Sequence, residues 1–82
     1  MKYHVIDMYE NPHGDLICTA DNLLSALGKS ADFCIDTDGE CKLVIKTNEG
    51  GNVMFGDCYN DFIAAIDLMR GLYNTKIITT EV

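Results

Sequence analysis

Positive charge is scarce in this chain. Six Lys and Arg stand against 13 Asp and Glu, for a formal charge of −7. Nucleic-acid affinity comes mainly from Lys and Arg displacing counterions, so direct DNA or RNA binding is not expected. Adsorption to anionic membranes falls to the same argument. No apolar run approaches the roughly 20 residues of a membrane span. The N-terminus, Met1-Lys2-Tyr3-His4-Val5, lacks the long apolar stretch of a signal peptide, so a cytoplasmic protein is expected. Cys18, Cys34, Cys41 and Cys58 form neither C-x-x-C nor C-x-x-H, so there is no zinc signature. Without a secretory signal their even number does not imply disulfides, and buried free thiols acting as small hydrophobes are expected. The only histidines, His4 and His13, lie at no spacing that suggests metal or nucleophile chemistry. Gly50-Gly51 belongs to no G-x-x-x-x-G-K-[ST] loop and reads as a turn. No metal, no cofactor and no catalytic centre are expected.

What is present is globular. Hydrophobic residues make up 48% of the 82 and charged residues 23%, which indicates one domain over 1–82. A chain of this size buries only roughly 60–65% of its unfolded surface, so its core is thin and leaves no room for a large enclosed pocket.

Residues 2–9 are β-branched and aromatic and read as a strand. A turn at Glu10-Asn11-Pro12-His13-Gly14 leads to a short return strand, Asp15 to Cys18. Thr19 or Asp21 is expected to cap a short helix bearing Leu23, Leu24 and Leu27, with Gly28 at its C-terminus. Residues 33–36 and 40–46 read as a hairpin around Thr37-Asp38-Gly39. The preferred register gathers Phe33, Ile35, Cys41, Leu43 and Ile45 on one face and leaves Cys34 on the other. A next loop of Glu49-Gly50-Gly51 adds Val53 and Phe55 to the buried face and turns Met54 away. Asp57 is the expected cap of a longer helix whose stripe is Phe62, Ile66, Met69 and Tyr73. Asn74-Thr75 ends it, and residues 76–81 read as a final strand, at a sheet edge or in a partner's sheet. The expected fold is therefore α+β with order ββαβββαβ, a two-layer sandwich of an antiparallel sheet with both helices on one face.

Asp36-Thr37-Asp38-Gly39-Glu40 contains part of a calcium loop. Only two acids precede the glycine, however, and the sixth residue after it is Ile45 rather than Glu, so a turn explains it better. The acids themselves carry the functional reading. Asp32, Asp36, Asp38 and Glu40 fall around one expected hairpin, Asp7, Glu10 and Asp15 mark the first hairpin, and Asp57, Asp61 and Asp67 mark the second helix. Carboxylates on one side of a strand repeat at roughly 6.6–6.8 Å, a spacing comparable with that of phosphates along one nucleic-acid strand.

The expected order from Ala20 to Tyr73, α-β-β-β-α, resembles that of double-stranded-RNA-binding domains. Those begin their second helix with lysines, whereas here the segment is Gly56-Asp57-Cys58-Tyr59-Asn60-Asp61. In size, acidity and mixed order the chain resembles small phage-encoded inhibitors of the anti-CRISPR type. That resemblance implies a non-enzymatic nucleic-acid mimic that docks on a basic protein partner such as a nuclease or CRISPR effector. Asp32, Asp36, Asp38, Glu40, Asp57 and Asp61 are the residues that would bind it. The alternative is an oligomeric small-molecule-binding module (a nucleotide sponge) or a regulatory module, with the final strand and outward Val44 and Met54 pairing a homodimer.

Overall fold

A computed structural model describes the backbone of residues 1–81 and the side chains of residues 1–71. The elements are β1 (Tyr3–Asp7), β2 (Asp15–Ala20), α1 (Leu23–Asp36), β3 (Leu43–Thr47), β4 (Asn52–Gly56) and α2 (Tyr59–Glu81). The strands form one antiparallel sheet in the order β2-β1-β3-β4, so the α+β class and the first hairpin stand. The order is ββαββα rather than ββαβββαβ, because two expected strands are helical.

The first of these is 33–36, which forms the last turn of α1. Leu23, Ala26, Leu27, Ser30, Ala31 and Cys34 recur at helical spacing, and the last five are buried. Asn22, rather than Thr19 or Asp21, caps the helix: its side-chain oxygen accepts from Ser25 N at 2.8 Å. Gly28 does not end it. The glycine lies inside the helix, where an added Cβ would meet nothing within 4 Å. Gly28→Ala should therefore stabilise the fold by about 1 kcal/mol, read as a higher urea midpoint at unchanged slope.

Thr37-Asp38-Gly39 is the helix stop, not a hairpin turn. Gly39 N donates to Cys34 O at 2.9 Å and Asp38 N to Ile35 O at 3.0 Å, the paired bonds of a Schellman motif. Asp38 holds the left-handed position, with φ 55°. Helical geometry also inverts two expected burials: Cys34 is buried and Ile35 is exposed. With no strand at 33–36, the free edge of β3 pairs with β1, placing Val5 opposite Ile45. The second lost strand, 76–81, falls within α2.

The β3–β4 turn begins one residue earlier than expected. Thr47 N donates to Gly51 O and Gly50 N to Thr47 O, so the loop is Asn48-Glu49-Gly50, with Gly50 left-handed. A bulge then sets Ile45 opposite Met54. This slip inverts β4: Met54 packs against the core while Val53 and Phe55 are exposed.

One core joins the elements. Val5, Leu43 and Ile45 come from the sheet, Ala26, Leu27, Ala31 and Cys34 from α1, and Phe62 and Ile66 from α2. The expected α2 stripe holds for Phe62, Ile66 and Met69, whereas the Tyr73 side chain lies outside the described residues. Across the opposite face runs a row of paired apolar residues, Leu16–Ile6–Val44–Phe55, whose two end members are more than half exposed.

Candidate functional site

The acids named from the sequence divide among separate places. Asp36, at the end of α1, and Glu40, beyond the Schellman turn, share an open hollow of about 420 Å³ with Asp7, Tyr9, Glu10, Asp15 and Thr37. Helix α1 delivers its end there because its buried stripe lies on β1 and β2, whose far ends carry Asp7 and Asp15. Sequence reasoning had marked Asp7, Glu10 and Asp15 without joining them to Asp36. The missing signal was the helix, which carries 33–36 across to the first hairpin.

The hollow holds five carboxylates, and neutral donors fix two of them. Asp7 Oδ1 accepts from Tyr9 N at 3.0 Å and Lys42 N at 3.2 Å, tying the end of β1 to the approach of β3. Asp15 Oδ1 accepts from Asn11 Nδ2 at 3.1 Å, while Asn11 itself caps the turn through His13 N. These bonds position charge without neutralising it. Among the described residues the single ion pair is Lys2–Asp21, which holds the Asp21 carboxyl below its ordinary range and lies at the other end of the sheet. The acidic hollow therefore presents uncompensated carboxylates, with the Tyr9 ring at its wall.

The remaining expected residues lie elsewhere. Asp32 is exposed on α1, one turn before Asp36. Asp38 borders a second hollow formed with Cys34, Ile35, Gly39 and Tyr59. Asp57 and Asp61 sit with Cys58 at the start of α2, where their ligating atoms lie within 4.8 Å of one another. That grouping has a structural cause. Asp61 Oδ2 accepts from Asp57 N at 3.1 Å, reaching back over the helix start as a capping residue does. This bond first, and the Cys58 thiol second, hold the Asp61 carboxyl below its ordinary range. A depressed carboxylate stabilises the fold at pH values above its unfolded pKa, and that contribution disappears as pH falls through the folded value. Asp61→Asn should accordingly lower Tm by a few degrees at neutral pH. The gap to wild type should close on acidification, as a thermal melt series over pH would show.

His4 Nδ1 lies 2.9 Å from Thr19 Oγ1 on the outer sheet face, while His13 is exposed in the first turn. No helix among the described residues is long and apolar enough to cross a membrane. No family model, curated protein or solved structure matches the chain.

Proposed function

We propose that this protein is a non-enzymatic interaction module that docks on a basic protein surface, acting in the cytoplasm as an inhibitor of the phage-encoded kind. Its partner would be a nuclease or CRISPR effector whose nucleic-acid groove takes the acidic edge as a mimic. One observation carries this reading: Asp7, Glu10, Asp15, Asp36 and Glu40 converge on a single hollow and have no cationic partner among the described residues. Asp32, one turn before Asp36 on α1 and roughly 6 Å further along the helix axis, would extend that edge. Asp38, Asp57 and Asp61 lie outside the hollow and drop to the margin of the docking surface. Five like charges at one site raise the encounter rate with a positive groove, an effect that salt screens over roughly 8–10 Å.

The test is capture of partners on the immobilised protein, with excess duplex DNA or RNA as competitor and at two salt concentrations. A partner displaced both by nucleic acid and by salt is expected. Partners that survive both treatments would overturn the mimicry.

A second reading, a self-associating small-molecule-binding or regulatory module, is favoured by the apolar row Leu16–Ile6–Val44–Phe55 on the uncovered sheet face. Phe55, rather than Met54, would supply its outward side chain. Native mass spectrometry separates the two: the first reading predicts a form without retained ligand, the second a multimer holding one.

A further inference from the structure

The corner between α1 and β3 brings together two cysteines that the preferred strand register sets on opposite faces. Cys34, in the last turn of α1, and Cys41, just before β3, are both buried, and their sulfurs lie 2.9 Å apart. That separation is shorter than van der Waals contact between unbonded sulfurs. The backbone around the pair is held from both sides. Gly39 N bonds Cys34 O, Met8 N bonds Lys42 O, and Lys42 N bonds the Asp7 carboxylate. The two side chains are thus aimed at each other by the Schellman turn and by the β1–β3 junction, and among the described residues Cys41 Sγ also donates to Asp57 O at 3.7 Å.

We propose that Cys34 and Cys41 are an intramolecular oxidation site, converted to a disulfide by exchange with a low-molecular-weight disulfide such as oxidised glutathione. One cysteine, as thiolate, attacks the glutathione disulfide to form a mixed disulfide and expels glutathione thiolate. The second, deprotonated in turn, attacks the protein sulfur of that mixed disulfide and expels the other glutathione. The two protons lost by the protein thiols appear on the two released thiols. The protein pair is oxidised by two electrons and the reagent is reduced by two.

Burial sets the rate. It pushes the Cys34 thiol up to about 12, with Cys41 adding to the shift, so thiolate is scarce while the corner is closed. Reaction therefore proceeds through opening of the 37–41 turn and quickens under mild denaturant. Once formed, the bond closes a short loop and pins the α1 terminus to β3. It fixes the turn that separates Asp36 from Glu40, and only this last consequence rests on the docking role proposed above.

The variant Cys18→Ser/Cys58→Ser retains only this pair and leaves the buried corner intact. After incubation with oxidised glutathione, unfolding and alkylation, the chain should take up no alkylating reagent. Its intact mass should fall by two hydrogens. Its Tm should rise by roughly 10 °C and return on reduction by dithiothreitol. Two alkylated thiols, a persistent glutathione adduct or a covalent dimer would each overturn the proposal, and so would an intramolecular bond that leaves Tm unchanged. Partner binding is not part of the readout, so failure here is distinguishable from failure of the docking reading.

Discussion

Changing Asp36 and Glu40 together to lysine should make the protein more stable and a poorer ligand for its basic partner. Both expectations follow from where α1 ends. The helix dipole places partial negative charge at its C-terminus, where Lys or Arg is favoured. Helix α1 has no basic residue in its last turn, and Asp32 and Asp36 lie near that end instead. Each misplaced charge costs about 0.3–1 kcal/mol at low ionic strength, and exposure keeps Asp36 toward the lower figure. Glu40 adds repulsion across the hollow from Asp7, Glu10 and Asp15. The double reversal removes both effects, for a gain of about 1 kcal/mol or several degrees in Tm. It also changes the charge of the hollow by +4 (two carboxylates lost, two ammonium groups gained), leaving three carboxylates and two cations. Affinity for a basic groove should fall by about tenfold or more at low salt, through the association rate first, and the difference should shrink as salt rises. Glu49→Lys/Asp67→Lys makes the same change of net charge away from the hollow, in the β3–β4 loop and on α2. It should leave affinity within about threefold, because rim charges distant from a contact act weakly. Equal losses from both pairs would reduce the acidic edge to net charge alone. A double reversal that destabilises the fold would remove the dipole argument.

The acidic surface was legible in composition but not in placement. What hides the placement is Gly28. A glycine after Leu27 is a reasonable helix stop, and Phe33-Cys34-Ile35-Asp36 then reads as alternating strand. Nothing local separates that from a helix that tolerates an interior glycine at a cost of about 1 kcal/mol; the fold makes up that cost through the burial of Ala31 and Cys34. The dipeptide Asp38-Gly39 compounds the ambiguity, since the left-handed backbone that suits a hairpin turn also suits a Schellman stop. Asn48-Glu49-Gly50-Gly51 is ambiguous in a smaller way, since either glycine can occupy the left-handed position. That choice alone keeps Phe55 on the inner face, and it is the bulge between Ile45 and Lys46, which no residue pattern announces, that turns Phe55 outward. By contrast, Leu43, Ile45, Phe62, Ile66 and Met69 were correctly placed, because their periods are long enough to survive a shifted boundary. The same helical correction brings Cys34 to Cys41 and Asp36 to Asp15. The cysteine pair and the acidic hollow are thus two consequences of a single misread segment.

The largest loss of stability is expected where α2 seats on β4. Gly56 pairs with Leu43 and faces inward, beneath the fully buried ring of Phe62. A Cβ at Gly56 would lie 2.6 Å from Phe62 Cζ and 2.8 Å from Cε2, closer than carbon atoms approach. The reason for glycine is space, since Gly56 is not among the residues at positive φ. Gly56→Ala forces either the ring or the strand to move, at a cost of about 1–3 kcal/mol. Phe62→Ala empties the same seat and should cost about 3–5 kcal/mol. A domain of this length is stable by only about 4–12 kcal/mol, so the second change alone consumes much of the total. The two should not add. With the ring removed, the methyl of Gly56→Ala enters the vacated volume, and the double variant should be no less stable than Phe62→Ala. That is a coupling of about 1–3 kcal/mol, opposite in sign to the cost of Gly56→Ala itself. Chemical denaturation of the four proteins closes the cycle, with Phe62→Leu as a milder background should Phe62→Ala fail to fold. Strictly additive costs would mean that the ring does not rest on Gly56. The start of α2, with Asp57 and the Asp61 cap, would then be held by something other than this contact.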